Sequence, residues 1–131
     1  MIKDPFSVQK LEDAYLEEQD YDKAIKSFKM AIKRLVGNNM QNHPECALCH
    51  TNLGNAYCDK LDYDRAIKSY KKAIKIYEEN NMRNQLGYAF CYMGLGVAYQ
   101  EIGRVDDAKK SLNLALSILD LLKNIPGINI V

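Results

Sequence analysis

Apolar residues recur along this chain at spacings of three and four, the period of one face of an α-helix. The clearest stretch holds Ala66, Ile67, Tyr70, Ala73, Ile74 and Tyr77, with Lys68, Lys71, Lys72 and Lys75 on the other face. The same pattern stands 42 residues earlier. Residues 20–42 and 62–84 are identical at fifteen of 23 positions without a gap. A further shift of 42 brings residues 104–116 into register. Ala24, Ala66 and Ala108 form one column, and Ala31, Ala73 and Ala115 another. Leu11, Leu53 and Leu95 align on the preceding segments, as do Ala14, Ala56 and Ala98, and Tyr15, Tyr57 and Tyr99. A fixed period of this length marks a repeat architecture, in which each unit buries its apolar face only against its neighbours.

Each unit reads as two helices joined by a short turn: Glu18-Gln19-Asp20, Lys60-Leu61-Asp62 and Ile102-Gly103-Arg104. Asp4 before Pro5 and His43 before Pro44 mark helix starts, because proline suits the first turn and a polar side chain caps it. Six helices are expected, at approximately 5–18, 21–37, 44–60, 63–80, 86–102 and 105–123. The fold class is all-α. A single domain over 1–131 is expected, with repeats at about 5–42, 43–84 and 85–124 and a tail at 125–131. The alanine columns let paired helices approach closely while Tyr and Leu fill the remaining space.

Leu53-Gly54, Tyr57, Ala66, Tyr70 and Ala73 carry the spacing of a known signature: Leu-Gly, aromatic, small, aromatic, small. Leu95-Gly96, Tyr99, Ala108, Leu112 and Ala115 repeat it, as do Leu11, Tyr15, Ala24, Phe28 and Ala31, with Glu12 where the glycine should stand. The chain resembles the tetratricopeptide repeat family. Its 42-residue period and the phrase Asn52-Leu53-Gly54-Asn55-Ala56-Tyr57 are similar to the longer-repeat branch of kinesin light chains and cell-polarity adaptors. The signature's leading Trp and closing Pro are absent.

That resemblance implies a short right-handed solenoid of three helix-turn-helix hairpins. It also implies a concave groove, lined by the first helix of each unit, that holds a peptide or helix of a partner protein. The groove residues implied are Phe6, Gln9, Asp13, Leu16 and Glu17 in unit one. Unit two contributes Leu48, Thr51, Asn52, Asn55, Cys58 and Asp59, and unit three Phe90, Met93, Val97, Gln100 and Glu101. The lining grades from acidic to apolar, so a partner of basic and apolar character is expected. The family's clamp of Lys, Asn and Arg for acidic chaperone tails would fall at Gln9, Asp13, Asn52, Phe90 and Gly94, where only Asn52 agrees.

Composition narrows this picture. Hydrophobic residues are 47% and charged residues 27%, ordinary for a globular protein, and the net charge of +1 gives no general attraction to nucleic acid. The lysines of the second helices, Lys23, Lys26, Lys29 and Lys33 with Arg65, Lys68, Lys71, Lys72 and Lys75, read as a solvated face. Met1 to Pro5 has no apolar core, so no signal peptide is expected, and no run of 18 apolar residues offers a membrane span. Cys46, Cys49, Cys58 and Cys91 are therefore expected to be reduced, in the cytoplasm.

Cys46-Ala47-Leu48-Cys49-His50 has the spacing of c-type haem attachment. The register sets Cys49 opposite Cys91 and His50 opposite Tyr92, which makes both packing positions of the repeat. His43, Cys46 and His50 share a helix face but lack a fourth ligand for zinc. No cofactor or metal is expected. Nor is catalysis: no phosphate-cradling glycine loop or paired nucleophile and base exists. The last helix is rich in Leu114, Leu116, Ile118, Leu119, Leu121 and Leu122, more apolar than the end of an array should be. Self-association through this helix and the tail is the alternative to groove binding.

Overall fold

The computed structural model describes the backbone of residues 5–124 and the side chains of residues 19–124. Within that range there are five helices and no strand: α1 (Pro5–Gly37), α2 (Pro44–Asp59), α3 (Tyr63–Glu79), α4 (Leu86–Glu101) and α5 (Val105–Lys123). Helices α2 and α3 form one antiparallel hairpin and α4 and α5 the next. Helix α1 packs on α2 as α3 packs on α4, and α2 also touches α4.

Every interior helix end is closed the same way. The residue two past the last helical one has positive φ at Asn39 (60°), Leu61 (64°), Asn81 (55°) and Gly103 (84°). The amide of the next residue then reaches back to a carbonyl one turn earlier. Met40 donates to Leu35, Asp62 to Tyr57, Met82 to Tyr77 and Arg104 to Tyr99, at 2.8–2.9 Å. This left-handed closure satisfies carbonyls that the helix end would leave unpaired. The pairs Asn39/Asn81 and Leu61/Gly103 are each 42 residues apart, so the repeat extends to the turns. At the helix starts, the His43 imidazole Nδ1 accepts from the Glu45 amide at 3.1 Å ahead of Pro44, and Asp62 caps α3.

The expected break at residues 18–20 does not occur. Helix α1 runs unbroken for 33 residues, so five helices replace six. The two intact hairpins supply the reason. A side chain at Gly54 would come within 2.7 Å of the Tyr70 ring, and one at Gly96 within 2.5 Å of Leu112. Close approach of the paired helices requires glycine there. The first unit has Glu12 at that position, and closing its hairpin would press a carboxylate against Phe28. Its turn would also need Gln19 in the left-handed conformation, a cost that Leu61 meets in the closed second unit. Continuing the helix avoids both costs.

Burial records the consequence. Ala66 and Ala73 are wholly buried and Tyr70 is 2% exposed, whereas Ala24, Phe28 and Ala31 at the same register are only half-buried. The core runs from α2 to α5 and is anchored by Tyr70, Leu122, Cys46 and Cys91. A tyrosine stack, Tyr77 to Tyr88 to Tyr92, crosses from α3 to α4 with edge-to-face centroids at 6.2 and 5.2 Å.

This core sets a pH limit. Burial raises the pKa of Tyr70, Tyr77 and Tyr88, and pushes the Cys91 thiol from 9.0 to about 11. Each group is neutral in the fold and ionises earlier when unfolded. Their contribution to stability is complete below the unfolded values and lost as pH rises through the folded ones. The urea midpoint should therefore hold level near neutrality and fall steadily above about pH 9–10. A midpoint that stays constant to pH 11 would contradict this.

Candidate functional site

Helices α2 and α4 lie side by side across α3, because Gly54 and Gly94 both back onto the Tyr70 ring. The Tyr70 hydroxyl donates to Asn55 Oδ1 at 2.5 Å and contacts the Cys58 sulfur at 3.7 Å. Thr51 Oγ1 donates to the Ala47 carbonyl at 2.9 Å and meets the Cys91 sulfur at 3.2 Å, which ties α2 to α4.

The sides of α2 and α4 turned away from α3 carry a surface of mixed character. On α4, Phe90, Met93 and Val97 fall at i, i+3 and i+7 and are 50%, 40% and 51% exposed. Gln100 and Glu101 extend the stripe and are exposed. On α2, Leu48 is 47% exposed, Asn55 and Asp59 are exposed, and Asn52 and Cys58 are half-buried. Leu48 and Phe90 hold the same place in successive repeats, as do Asn55 and Val97, and Asp59 and Glu101. Three large apolar side chains standing together in water is what a docking face looks like.

Two qualifications to the expected lining follow. Thr51 is buried in the contact between α2 and α4, so it offers no surface to a partner. Asn55 faces solvent but already holds the Tyr70 hydroxyl. The side chains of Phe6, Gln9, Asp13, Leu16 and Glu17 lie outside those the structure describes. Sequence reasoning marked Gly54 in its Leu-Gly phrase but missed Gly94, the second glycine on the Tyr70 ring that positions the two helices. Gly94 follows a methionine rather than the Leu-Gly phrase, so no motif marked it.

The Cys46–His50 segment is spread around α2. Cys46 is buried in the core and Cys49 and His50 are half-buried. Burial raises both thiol pKa values, and each also has a neighbouring negative group, Cys49 beside Cys46 and Glu45 beside Cys49. The His50 imidazole is pushed down by burial and by Lys72. His43 Nδ1 is engaged in capping α2. Among the described residues, no three His, Cys, Asp or Glu side chains come together as a metal site.

At the far end, α5 divides its apolar residues. Ile118 and Leu122 are buried against α4, whereas Leu114, Leu116 and Leu121 are exposed. Residues 125–131, the expected tail, lie outside the described residues. No helix among the described residues is long and apolar enough to cross a membrane.

No curated protein matches the chain. The tetratricopeptide repeat family matches residues 13–79 and again residues 45–120. The helical hairpins, the alanine columns, the Leu-Gly contacts and a match spanning most of the length agree: the chain belongs to the tetratricopeptide repeat family.

Proposed function

We propose that this chain is a non-catalytic scaffold of the cytoplasm that holds a peptide or helix of a partner protein along the faces of α2 and α4. Tetratricopeptide repeats in general mediate protein–protein interaction. The observation that carries the finer reading is the apolar stripe Phe90, Met93 and Val97 left open to solvent on α4, with Leu48 beside it on α2. Aromatic and methionine side chains are the ones that anchor interfaces once desolvated. Asp59 and Glu101 border the stripe, and Asp13 and Glu17 continue the acidic character in the sequence of the first unit. A partner segment that is apolar on one side and basic at its edge complements this surface.

The test is a capture experiment from the native cell with wild type and with Phe90→Ala/Val97→Ala. A partner held in this groove should lose about 2 kcal/mol or more of binding when its anchor contacts are truncated. Reversing Glu101 and Asp59 to lysine should weaken the same partner and reduce its salt dependence. A partner retained equally by all three proteins would place binding elsewhere.

A second reading rests on Leu114, Leu116 and Leu121, exposed on α5, which suit self-association through the C-terminal helix. Light scattering decides it: a mass of 15.0 kDa at every concentration rejects it, and a dimer lost in Leu116→Glu/Leu121→Glu supports it.

A further inference from the structure

A cleft of about 320 Å³ opens on the opposite side of α2, between α1 and α3. His50, Leu53 and Tyr57 form its α2 wall. At 100° per residue these lie about half a turn from Leu48, Asn55 and Asp59, so this cleft is separate from the groove discussed above. The repeat builds the same cleft a second time, at about 300 Å³, between α3 and α5. Ile32, Leu53, Tyr57 and Ser69 of the first correspond to Ile74, Leu95, Tyr99 and Ser111 of the second. Lys29 and Lys71 stand in register, each 5.8 Å above the ring of the tyrosine, Tyr57 or Tyr99. Lys68 and Lys110 also match.

Three positions differ, two of them toward positive charge. Arg65 replaces Asp107, Lys72 replaces Leu114, and His50 replaces Tyr92. The first cleft therefore has four cationic side chains and, among the described residues lining it, no acidic one. The second has two lysines, and its Asp107 is paired with Arg104 at 2.7 Å. Arg65 is held toward its place by Asp62 at 2.7 Å, outside the lining. His50 Nδ1 is shut off from solvent with no hydrogen-bond partner among the described residues, leaving bonding capacity unused in this wall. The shared frame explains why a cleft exists. It does not explain why one copy gathers positive charge around an apolar floor.

We infer that the cleft between α1 and α3 binds an acidic peptide segment, with an apolar side chain seated on Ile32, Leu53 and Tyr57 and carboxylates met by Lys29, Arg65, Lys68 and Lys72. Charge complementarity selects this occupant. The floor takes an aliphatic or aromatic group, and the rim is cationic on both the α1 and α3 sides. A flat polyanion would leave the floor unused. The chain thus has two protein-binding faces of opposite preference, one for basic and apolar segments and one for acidic and apolar segments.

The probe is a fluorescein-labelled peptide of alternating glutamate and leucine, followed by polarisation at low salt. Its glutamine–leucine counterpart is the control. The decisive variant is His50→Tyr/Arg65→Asp/Lys72→Leu, which installs the residues that the second cleft already carries in the same frame. Circular dichroism confirms its fold. Affinity should fall about tenfold or more in that variant. It should change less than about twofold in Phe90→Ala/Val97→Ala, on the other face of the molecule. Lys68→Glu should weaken binding independently if the triple variant folds poorly. The inference is overturned by equal affinity for the glutamine peptide, by equal losses in the Phe90/Val97 variant, or by an unchanged Lys68→Glu variant. It is also overturned by tighter, cleft-dependent binding of an oligouridine. The Phe90/Val97 variant separates the two faces, so either can fail alone.

Discussion

Replacing Tyr70 with alanine is expected to cost about 3–5 kcal/mol, the usual loss when a large buried aromatic is removed. Total stability for a domain of this kind is about 5–15 kcal/mol, so the variant should be marginal or unfolded. The magnitude follows from position. Tyr70 is buried between Gly54 on α2 and Gly94 on α4, and its hydroxyl holds Asn55 at 2.5 Å. One side chain joins a hairpin to the next. Tyr70→Phe keeps the ring and frees Asn55, and should cost about 0.5–1.5 kcal/mol. Urea unfolding of the three proteins checks both values. An alanine variant within about 1 kcal/mol of wild type would show that the junction closes without the ring.

Gly54→Val is the complementary change and should destabilise by about 1–3 kcal/mol through overpacking. A Cβ there meets Cε1, Cδ1 and Cζ of Tyr70 at 2.7, 2.9 and 3.0 Å, and a buried ring held on its far side by Gly94 has little room to yield. The two changes are coupled. In Gly54→Val/Tyr70→Leu the smaller partner relieves the clash, so the double variant should be more stable than the sum of the single losses by about 0.5–3 kcal/mol. Leu112 against Gly96 shows that the repeat accepts leucine at this register. Strict additivity would mean that the valine strains the helix rather than the contact.

The same contact explains how much was legible before any coordinates. Four helices after residue 43 were readable within about two residues of their observed limits, because alanine columns, apolar spacing and turn positions all agreed locally. The Pro44 start, the Leu61 and Gly103 turns and the buried Ala66, Tyr70 and Ala73 stripe follow from spacing alone. The α1 break was misread because one substitution, Glu12 for glycine, outweighed a dozen matching positions. Its weight comes from packing distance, which a column of letters does not carry.

For the candidate sites the division is similar. Leu48, Phe90, Met93 and Val97, which the family resemblance implies line a groove, stand on solvent-exposed helix faces, and a helical period fixes such a direction around an axis. It could not tell that Thr51, one turn from Leu48, is buried by Cys91 of the next hairpin. Nor could it separate the lysines that line a cleft from those that stand in water. Lys26 and Lys68 are equivalent in the repeat. Yet Lys68 faces an α2 wall with α1 across from it, whereas Lys26 lies on a helix whose own hairpin never closed. Periodicity along the chain was enough to establish the repeat and the four helices after residue 43. Which helix ends continue, which faces meet and where charge collects around an apolar floor depended on contacts between residues on different helices, whose distances are set by side-chain volume in three dimensions.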